Sequence, residues 1–432
     1  MKLITKHFSY FYSKDLLKFY QYNLNKEKKI LEINHENYSL LKETKYKLLV
    51  NYENNNVKTK EKFDYIIIPD TLSTVADIQK LFNNIHNNCK PNTRLIINYH
   101  SILWLPILNL AEKLHLKNPQ NRSNWLNTDD LTNLLEIENF QVIKSGKRLL
   151  LPFKIPIIST LFNKYIANLP LINSLCITNY LIARPLGLEK NKNPSVSVII
   201  AARNEKGNIE NAIKRIPKMG KHTEIIFVEG GSTDGTWEKI VKVAKKYPKL
   251  DIKYTHQDGK GKGDAVRKGF SIATGDILMI LDADLTVPPE DLPKFYDAIA
   301  SGKGEYINGC RLVYPMENEA MRFLNILGNK FFSITFSWLL NQKIKDTLCG
   351  TKVISRENYL QLAKNRNYFG DFDPFGDYDL IFGAAKMNLK FVEIPIRYKA
   401  RKYGSTNISR FKHGWLLLKM VAFAMNKIKF VD

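Results

Sequence analysis

Short apolar runs alternate with amphipathic stretches along most of the chain. In the C-terminal half, SVSVIIA (195–201), TEIIFVE (223–229), DILMILD (276–282) and KFVEIPI (390–396) read as buried strands. Between the first three of these, EKGNIENAIKRI, DGTWEKIVKVAKKY and GDAVRKGFSIA carry apolar residues at helical spacing. This alternation predicts a mostly parallel sheet with helices on its faces. A weaker series precedes it. KKILEIN (28–34), YKLLVNY (46–52), KFDYIIIP (62–69) and TRLIINY (93–99) have the look of strands. Residues 75–89 and 128–140 have the look of helices, the latter with Thr128 as N-cap. The expected fold class is α/β in two domains: a smaller one over 1–148, an apolar, proline-punctuated connector over 149–193, and a larger one over 194–432. The boundary falls near Glu189–Pro194, where polar residues cluster, and no internal repeat is evident.

Composition adds limits. With 432 residues, 44% hydrophobic and 25% charged, the chain can bury sizeable cores. Cys89, Cys176, Cys310 and Cys349 lie far apart without a CxxC, which argues against a zinc or disulfide framework and fits a reducing cytoplasm. The net charge of +23 has two readings. Lysine spread along the chain with abundant asparagine reads as compositional drift; an attraction to lipid headgroups or phosphates is the other reading. No basic stripe with interleaved aromatics, zinc-finger spacing or RNP-like motif is present, so nucleic acid is not an expected partner. The opening MKLITKHFSYFYSK lacks the apolar core and cleavage site of a signal peptide. Tyr165–Ala183 is charge-free and long enough to span a bilayer, but Pro170 and its asparagines favour a packed connector or a surface-lying segment.

The polar motifs of the second domain follow its strands, where ligands bind in open α/β sheets. ARNE (202–205), GGSTDGT (230–236) and the DAD of LDADLTVPP each follow one strand. Any one could be a turn; three together point to a shared site. Asp282 and Asp284 at the end of an apolar run would share one face of a strand, and like charges that close need a proton or a cation. Mg²⁺ is held by one or two carboxylates plus substrate phosphates. The alternative is that Asp284 caps the helix beginning near Pro289. DGKGKGDAVRKG (258–269) puts glycines and lysines at a helix start, which suits either an anion or a flexible basic loop.

These motifs, in this order, carry a resemblance. Residues 194–430 resemble the inverting family 2 glycosyltransferases with the GT-A fold, most of all the dolichol/polyprenyl-phosphate sugar synthases. VIIAARNE resembles VIIPxYNE, FVEGGSTDGT resembles VDDGSxDGT, LDADLTVPPEDL resembles MDADLxHPPE, and INGCR, DTLCGTKV and EIPIRYKARKYGSTN resemble later motifs. The resemblance implies a nucleotide-diphosphate sugar donor. Ala201 and Arg203 belong to the first motif, and Gly231, Ser232 and Asp234 to the second. Glu205 and Glu229 would contact base or ribose, Lys260 the phosphates, and Asp282 the nucleotide. Asp284, with Asp282 as its pair, would hold Mg²⁺ or Mn²⁺. Arg311, Arg401 and the loop Tyr403–Gly404–Ser405–Thr406–Asn407 would close over phosphates. Glu229-Gly230 stands for the usual Asp-Asp, Ala201 for proline, Arg203 for an aromatic and Asn407 for lysine; these departures bear on which base and sugar are bound. A lipid-phosphate acceptor needs no strong base, whereas a glycan hydroxyl does. In GDFDPFGDYD (370–379), Asp377 or Asp379 falls on the acceptor side, unless these acids serve the loop or a helix start. MRFLNILGNKFFSITFSWLL (321–340) and HGWLLLKMVAFAMNKIKF (413–430) suit core packing or a lipid-facing surface edged by Lys412, Lys419, Lys427 and Lys429. A peripheral enzyme at the cytoplasmic, inner face of the membrane is the expectation.

The order of elements in 28–148 resembles a class I methyltransferase domain that binds S-adenosylmethionine. Its ExGxGxG loop stands here as EINHENY (32–38), without a glycine, and only 29 residues separate Glu32 from Lys62. Side chains there should obstruct the cofactor, so S-adenosylmethionine is not expected and the domain reads as structural or regulatory. Two other functions stay open: a methyltransferase fused to a transferase, and a sugar-nucleotide-binding scaffold.

Overall fold

Buried apolar strands build two separate sheets in this computed structural model, which describes residues 2–34, 40–41, 47–51, 59–114, 124–188, 193–314, 323–369, 376, 378–401, 403–404 and 410–431. The chain divides into two units, Met1–Glu189 with Lys429–Asp432, and Lys190–Ile428.

The first unit holds β1 (Ile30–Asn34), β2 (Lys47–Asn51), β3 (Phe63–Pro69), β4 (Cys89–His100), β5 (Phe140–Arg148) and β6 (Thr178–Pro185) in the order β2-β1-β3-β4-β6-β5. The first four are mutually parallel, and β6 runs antiparallel to both β4 and β5. Strand alternation sends Leu31, Ile66 and Leu95 into a core with helices Ile78–His86 and Thr128–Ile137. It sends Ile30, Ile67 and Ile96 to a second core under Leu16, Phe19 and Tyr20 of helix Lys2–Asn23.

Three expectations change here. The connector over 149–193 contains β6, an inner strand of this sheet. Its eight residues are all buried, and its Thr178, Asn179 and Arg184 break the apolar signal. Helix Lys2–Asn23 carries no clean apolar stripe in sequence, yet it covers one whole sheet face. The N-cap of helix Thr128–Ile137 is Asn127: its Oδ1 accepts from Asp130 N at 2.8 Å, and Asp130 Oδ2 accepts from Asn127 N at 3.1 Å.

The second unit holds β7 (Val196–Ala202), β8 (Thr223–Glu229), β9 (Asp251–His256), β10 (Ile277–Ile280), β11 (Tyr306–Cys310), β12 (Lys352–Ser355) and β13 (Phe391–Pro395) in the order β13-β11-β12-β10-β7-β8-β9. β10, β7, β8 and β9 are parallel, and β12 is antiparallel to β10 and β11. The four anticipated strands are all present; β9, β11 and β12 are additions. Ile199 and Leu278 face a core shared with helices Lys262–Ile272, Tyr378–Lys386 and Arg410–Ala424. Val198, Ile200 and Met279 face the other, with helices Ile209–Arg215, Thr236–Lys246 and Leu292–Ala300. β7 is the switch point, with β8 on one side and β10 on the other.

Asn127→Ala removes the cap on Thr128–Ile137 and should cost about 1 kcal/mol. Reversible urea unfolding, followed by far-UV circular dichroism, measures it.

Candidate active site

Three loops leave the carboxyl ends of β7, β8 and β10 and meet at the switch point. The first two interlock. Gly230 N donates to Ala202 O at 2.9 Å, Asn204 N to Ser232 Oγ at 2.9 Å, and Thr233 N to Asn204 Oδ1 at 2.9 Å. Asn204 takes the left-handed conformation this exchange requires (φ 57°). Glu205 is thereby aimed inward. Its N–H donates to Thr236 Oγ1 at 2.9 Å, and its carboxylate accepts from Asn208 Nδ2 at 2.7 Å and Arg401 Nη1 at 3.1 Å. Burial raises the Glu205 carboxyl above its ordinary range, aided by Asp284 and Asp234 and opposed by Asn208 and Arg401.

β10 stops at Ile280, so the two aspartates of DAD lie in a turn beyond the strand. Leu285 N donates to Asp282 O at 3.1 Å and Leu285 is left-handed (φ 54°). Each aspartate therefore faces its own cation. Asp282 Oδ1 meets Lys262 Nζ at 2.7 Å. Burial pushes its pKa up, but Lys262, then Lys352 and Arg311, hold it below the usual carboxylate range. Asp284 Oδ2 accepts from Arg401 Nη2 at 2.8 Å; its Oδ1 accepts from Thr286 Oγ1 at 2.8 Å and Thr286 N at 3.1 Å. Asp284 thus closes its own loop instead of capping the helix beyond Pro289. Arg401 bridges two strand ends through one guanidinium.

The antiparallel β12 brings the DTLCG segment (346–350) to the same edge. Arg311 binds Asp346 in bidentate fashion, Nε to Oδ2 at 2.7 Å and Nη2 to Oδ1 at 2.8 Å, and Arg311 N adds a third bond at 3.0 Å. Burial pushes the Asp346 carboxyl up, and Arg311 more than offsets this, leaving it below the ordinary range. Gly350 lies so close to Asp282 that a Cβ there would fall within its carboxylate. Lys352, buried behind them, donates to Cys349 O.

The structure joins Glu205, Asp234, Asp284, Arg401 and Tyr403 into one network, while Asp282 pairs separately with Lys262. Asp234 accepts from Lys206 N at 3.2 Å, Thr236 N at 3.0 Å and Tyr403 Oη at 3.3 Å. The Tyr403 ring lies over Gly207, and Gly404 is left-handed beside Arg401 (φ 78°). Gly231 is left-handed (φ 74°) and Ser232 faces Asn204. Other candidates sit apart. Ala201 packs against the core, and Arg203 and Lys260 are exposed; Lys262, two residues on, is the lysine that reaches an aspartate. Glu229 is nearly fully buried, spent on Ser232 N at 2.5 Å and His256 Nδ1 at 2.9 Å. His256 stacks on Trp237. Asp379 pairs with Arg366 at 3.4 Å. Asp377 and Ser405–Asn407 lie outside the described residues. Sequence reasoning assigned no role to Lys262, Asp346, Gly350 or Lys352, although DTLCGTKV was recognisable as a motif.

In the first unit, groups of the chain itself reach polar side chains on β1 and near the ends of β3 and β4. Glu32 Oε1 accepts from Leu40 N at 2.8 Å. From helix Lys2–Asn23, Tyr12 donates to Asp70 and Tyr20 donates to Asn98 Oδ1 at 2.6 Å. Burial, with Asp70 near both, raises the two phenols well above their ordinary range.

Comparison with known proteins agrees with this division. Residues 197–367 match the family model for glycosyl transferase family 2, and residues 7–145 match a methyltransferase domain. Dolichol-phosphate mannosyltransferase of Pyrococcus furiosus is 43% identical over 218 residues, 49% of this chain and 59% of that protein. Dolichyl-phosphate beta-glucosyltransferase of Saccharomyces cerevisiae is 29% identical over 228 residues, 47% of this chain and 66% of that one. The chain thus spans under two thirds of the length of either relative. Among solved structures, glucosyl-3-phosphoglycerate synthase from Mycobacterium tuberculosis superposes with a TM-score of 0.41 at 18% identity, over 55% of this chain and 81% of that one.

Asp346→Asn should cost about 3–5 kcal/mol at pH 7, because it strands Arg311. A carboxyl depressed in the folded state contributes stability above its unfolded value, about 3.9, and loses it as pH falls through the folded value. The difference between variant and wild type in urea unfolding should therefore shrink in acid below that range.

Proposed function

We propose, for a chain that belongs to the family 2 glycosyltransferases and carries a methyltransferase-like domain ahead of that region, that it moves a sugar from a nucleotide-diphosphate donor to the phosphate of a polyprenyl-type lipid. The transfer would invert the anomeric carbon in one in-line displacement. The observation that carries the reading is the convergence of Glu205, Asp282, Asp284 and Arg401 at the switch point, with a helix start and Lys262 beside them.

Asp284 and Asp282 offer the hard oxygen donors that Mg²⁺ or Mn²⁺ takes. A cationic group, Arg401 or Lys262, already stands against each. Two carboxylates leave room for diphosphate oxygens, so the residues fit a divalent ion held jointly with the donor. When bound, it would offset charge on the departing diphosphate. The remaining work falls to the protein. Lys262 and the first N–H groups of helix Lys262–Ile272 favour the same anion. Arg401, released from Asp284 and Glu205, can turn to phosphate.

A lipid phosphate arrives ionised and needs no general base. The commitment of Asp379 to Arg366 favours that acceptor over a glycan hydroxyl. The names of the dolichol-phosphate relatives support the same class. On helix Phe323–Leu340, Leu327, Phe331 and Ile334 expose one apolar stripe, and Trp415 and Leu418 are exposed on helix Arg410–Ala424. These suit an acceptor presented from the inner, cytoplasmic face of a membrane. Among the described residues no helix is long and apolar enough to cross one. The first domain, in which Tyr12 engages Asp70 and Tyr20 engages Asn98, serves a structural or regulatory role.

Asp284→Asn should lower release of nucleoside diphosphate from UDP- or GDP-sugars, assayed with polyprenyl phosphate and Mn²⁺, by roughly 10²–10³-fold. EDTA should do the same to the wild type. Full activity in the variant sinks the metal assignment. Calorimetry with S-adenosylmethionine should show no micromolar binding; such binding would overturn the structural role of the first domain.

A further inference from the structure

Residues 153–175 of the first unit invert the usual order of a protein surface. The polar side chains turn inward to hold backbone. Ser159 Oγ accepts from Ile155 N at 2.8 Å, Asn163 Nδ2 donates to Leu151 O at 2.8 Å, and Asn173 Nδ2 donates to Ala167 O at 2.7 Å. The apolar side chains turn outward: Phe153, Ile155, Leu161, Phe162, Leu169 and Leu175 are all exposed.

Two tips in this segment share one construction. In Pro156–Leu161 and Pro170–Leu175 the residue after proline is left-handed, Ile157 at φ 66°, ψ −51° and Leu171 at φ 70°, ψ −55°. Ile158 N donates to Pro156 O at 2.7 Å and Ile172 N donates to Pro170 O at 2.9 Å, closing a γ-turn of the rare, strained hand. A β-branched residue at such a φ is an outlier. Both side chains project into open space, 84% and 89% exposed. Strain that places one aliphatic side chain at each tip has no counterpart in the packing of this unit; it has one in a surface that meets something apolar.

The adjoining segment extends the surface. Trp104 Nε1 donates to Leu175 O at 2.9 Å. From there Leu103, Ile107, Leu110 and Leu114 form an exposed apolar stripe at helical spacing.

Charge chooses the occupant. Residues 141–188 contain no aspartate or glutamate, although the chain carries 42. Beside the Ile157 tip lies a cavity of about 260 Å³ lined by Lys14, Lys18, Arg148, Lys154 and Lys164, with Asp15 as the acidic member. Arg148 binds Asp15 at 3.0 Å, and with five basic side chains against one acid the lining is net positive. Apolar tips rimmed by lysine match the two zones of an anionic bilayer, acyl chains and phosphate headgroups.

We infer that this face of the first unit seats the protein on anionic phospholipid, with Ile157 and Leu171 inserted below the headgroups and the lysine-lined cavity receiving one. It gives the methyltransferase-like domain a membrane-holding role. The inference deepens the lipid-acceptor reading and can fail apart from it, since donor turnover tests one and vesicle capture the other.

Co-sedimentation with vesicles of phosphatidylcholine, with and without about a third phosphatidylglycerol, tests it. The wild type should be captured, more strongly by the anionic vesicles. Ile157→Gly with Leu171→Gly removes the side chains and relieves the backbone together. This variant should bind at least tenfold more weakly with unchanged or raised thermal stability. Lys18→Glu with Lys154→Glu should abolish the preference for phosphatidylglycerol. Wild-type capture by the glycine variant overturns the proposal. So does a wild type that ignores vesicles, or a wild-type dimer that the glycine changes split without altering vesicle capture.

Discussion

Acidic side chains crowd the carboxyl ends of β7, β8 and β10, and the second unit is arranged around keeping them there. Glu205, Asp234, Asp282 and Asp284 come from three loops, and burial, with smaller contributions from Asp284 and Asp234, raises the Glu205 carboxyl. Arg401 answers two of them with one guanidinium, Lys262 answers a third, and hydroxyl and backbone donors satisfy Asp234. Removing any one partner leaves charge stranded in a partly buried place, so the network behaves as a unit. A site of this kind is preorganised for exchange. Under the proposed function, Asp282 and Asp284 would hold a divalent ion that offsets diphosphate charge, and Arg401 would then be free to meet phosphate.

Much of this was legible in sequence because parallel strands write their ends plainly. Four buried strands and the three loops after β7, β8 and β10 follow from apolar runs that stop at small or acidic residues; separate roles for Asp282 and Asp284 come only from the family resemblance. What escaped was of another kind. Arg311 and Asp346 are 35 residues apart and meet only because β12 runs antiparallel between β10 and β11. Lys262 and Lys260 are equivalent by composition; the start of the helix at Lys262 separates them. Glu229 looks available in sequence, but β8 carries it into the core side of its loop, where Ser232 and His256 take both oxygens. Local periodicity carries no record of contacts made across a sheet.

The stretch before Pro194 makes the point with one composition and two outcomes. Its apolar, asparagine-bearing character admits a packed connector or a surface-lying segment, and the chain adopts both. From Thr178 onward it is a buried inner strand; from Phe153 to Leu175 it lies at the surface. Hydropathy cannot divide them, because it records how much apolar area is present and not which way it faces. The division lies in hydrogen bonding. Where a ladder satisfies the backbone, as in β6, the side chains are free to pack. Where no ladder exists, Ser159, Asn163 and Asn173 must satisfy it, and each inward polar group displaces an apolar one outward. The twin prolines repeat that solution over six residues each, too short a period to stand out along the chain.

The same reasoning bears on the net charge. Drift toward lysine, one of the two readings of the +23, would place cations without regard to structure. Two features depart from that. At the switch point acids are concentrated, three of them answered by Arg401 and Lys262 and Asp234 by hydroxyl and backbone donors. Across 141–188 acids are absent, and lysines border a surface of exposed apolar side chains. A uniformly basic chain would bind anions weakly everywhere. Acid gathered in one place and excluded from another sets apart one site suited to a cation and one face suited to an anion, the pair that the proposed glycosylation of a lipid phosphate at a bilayer would require.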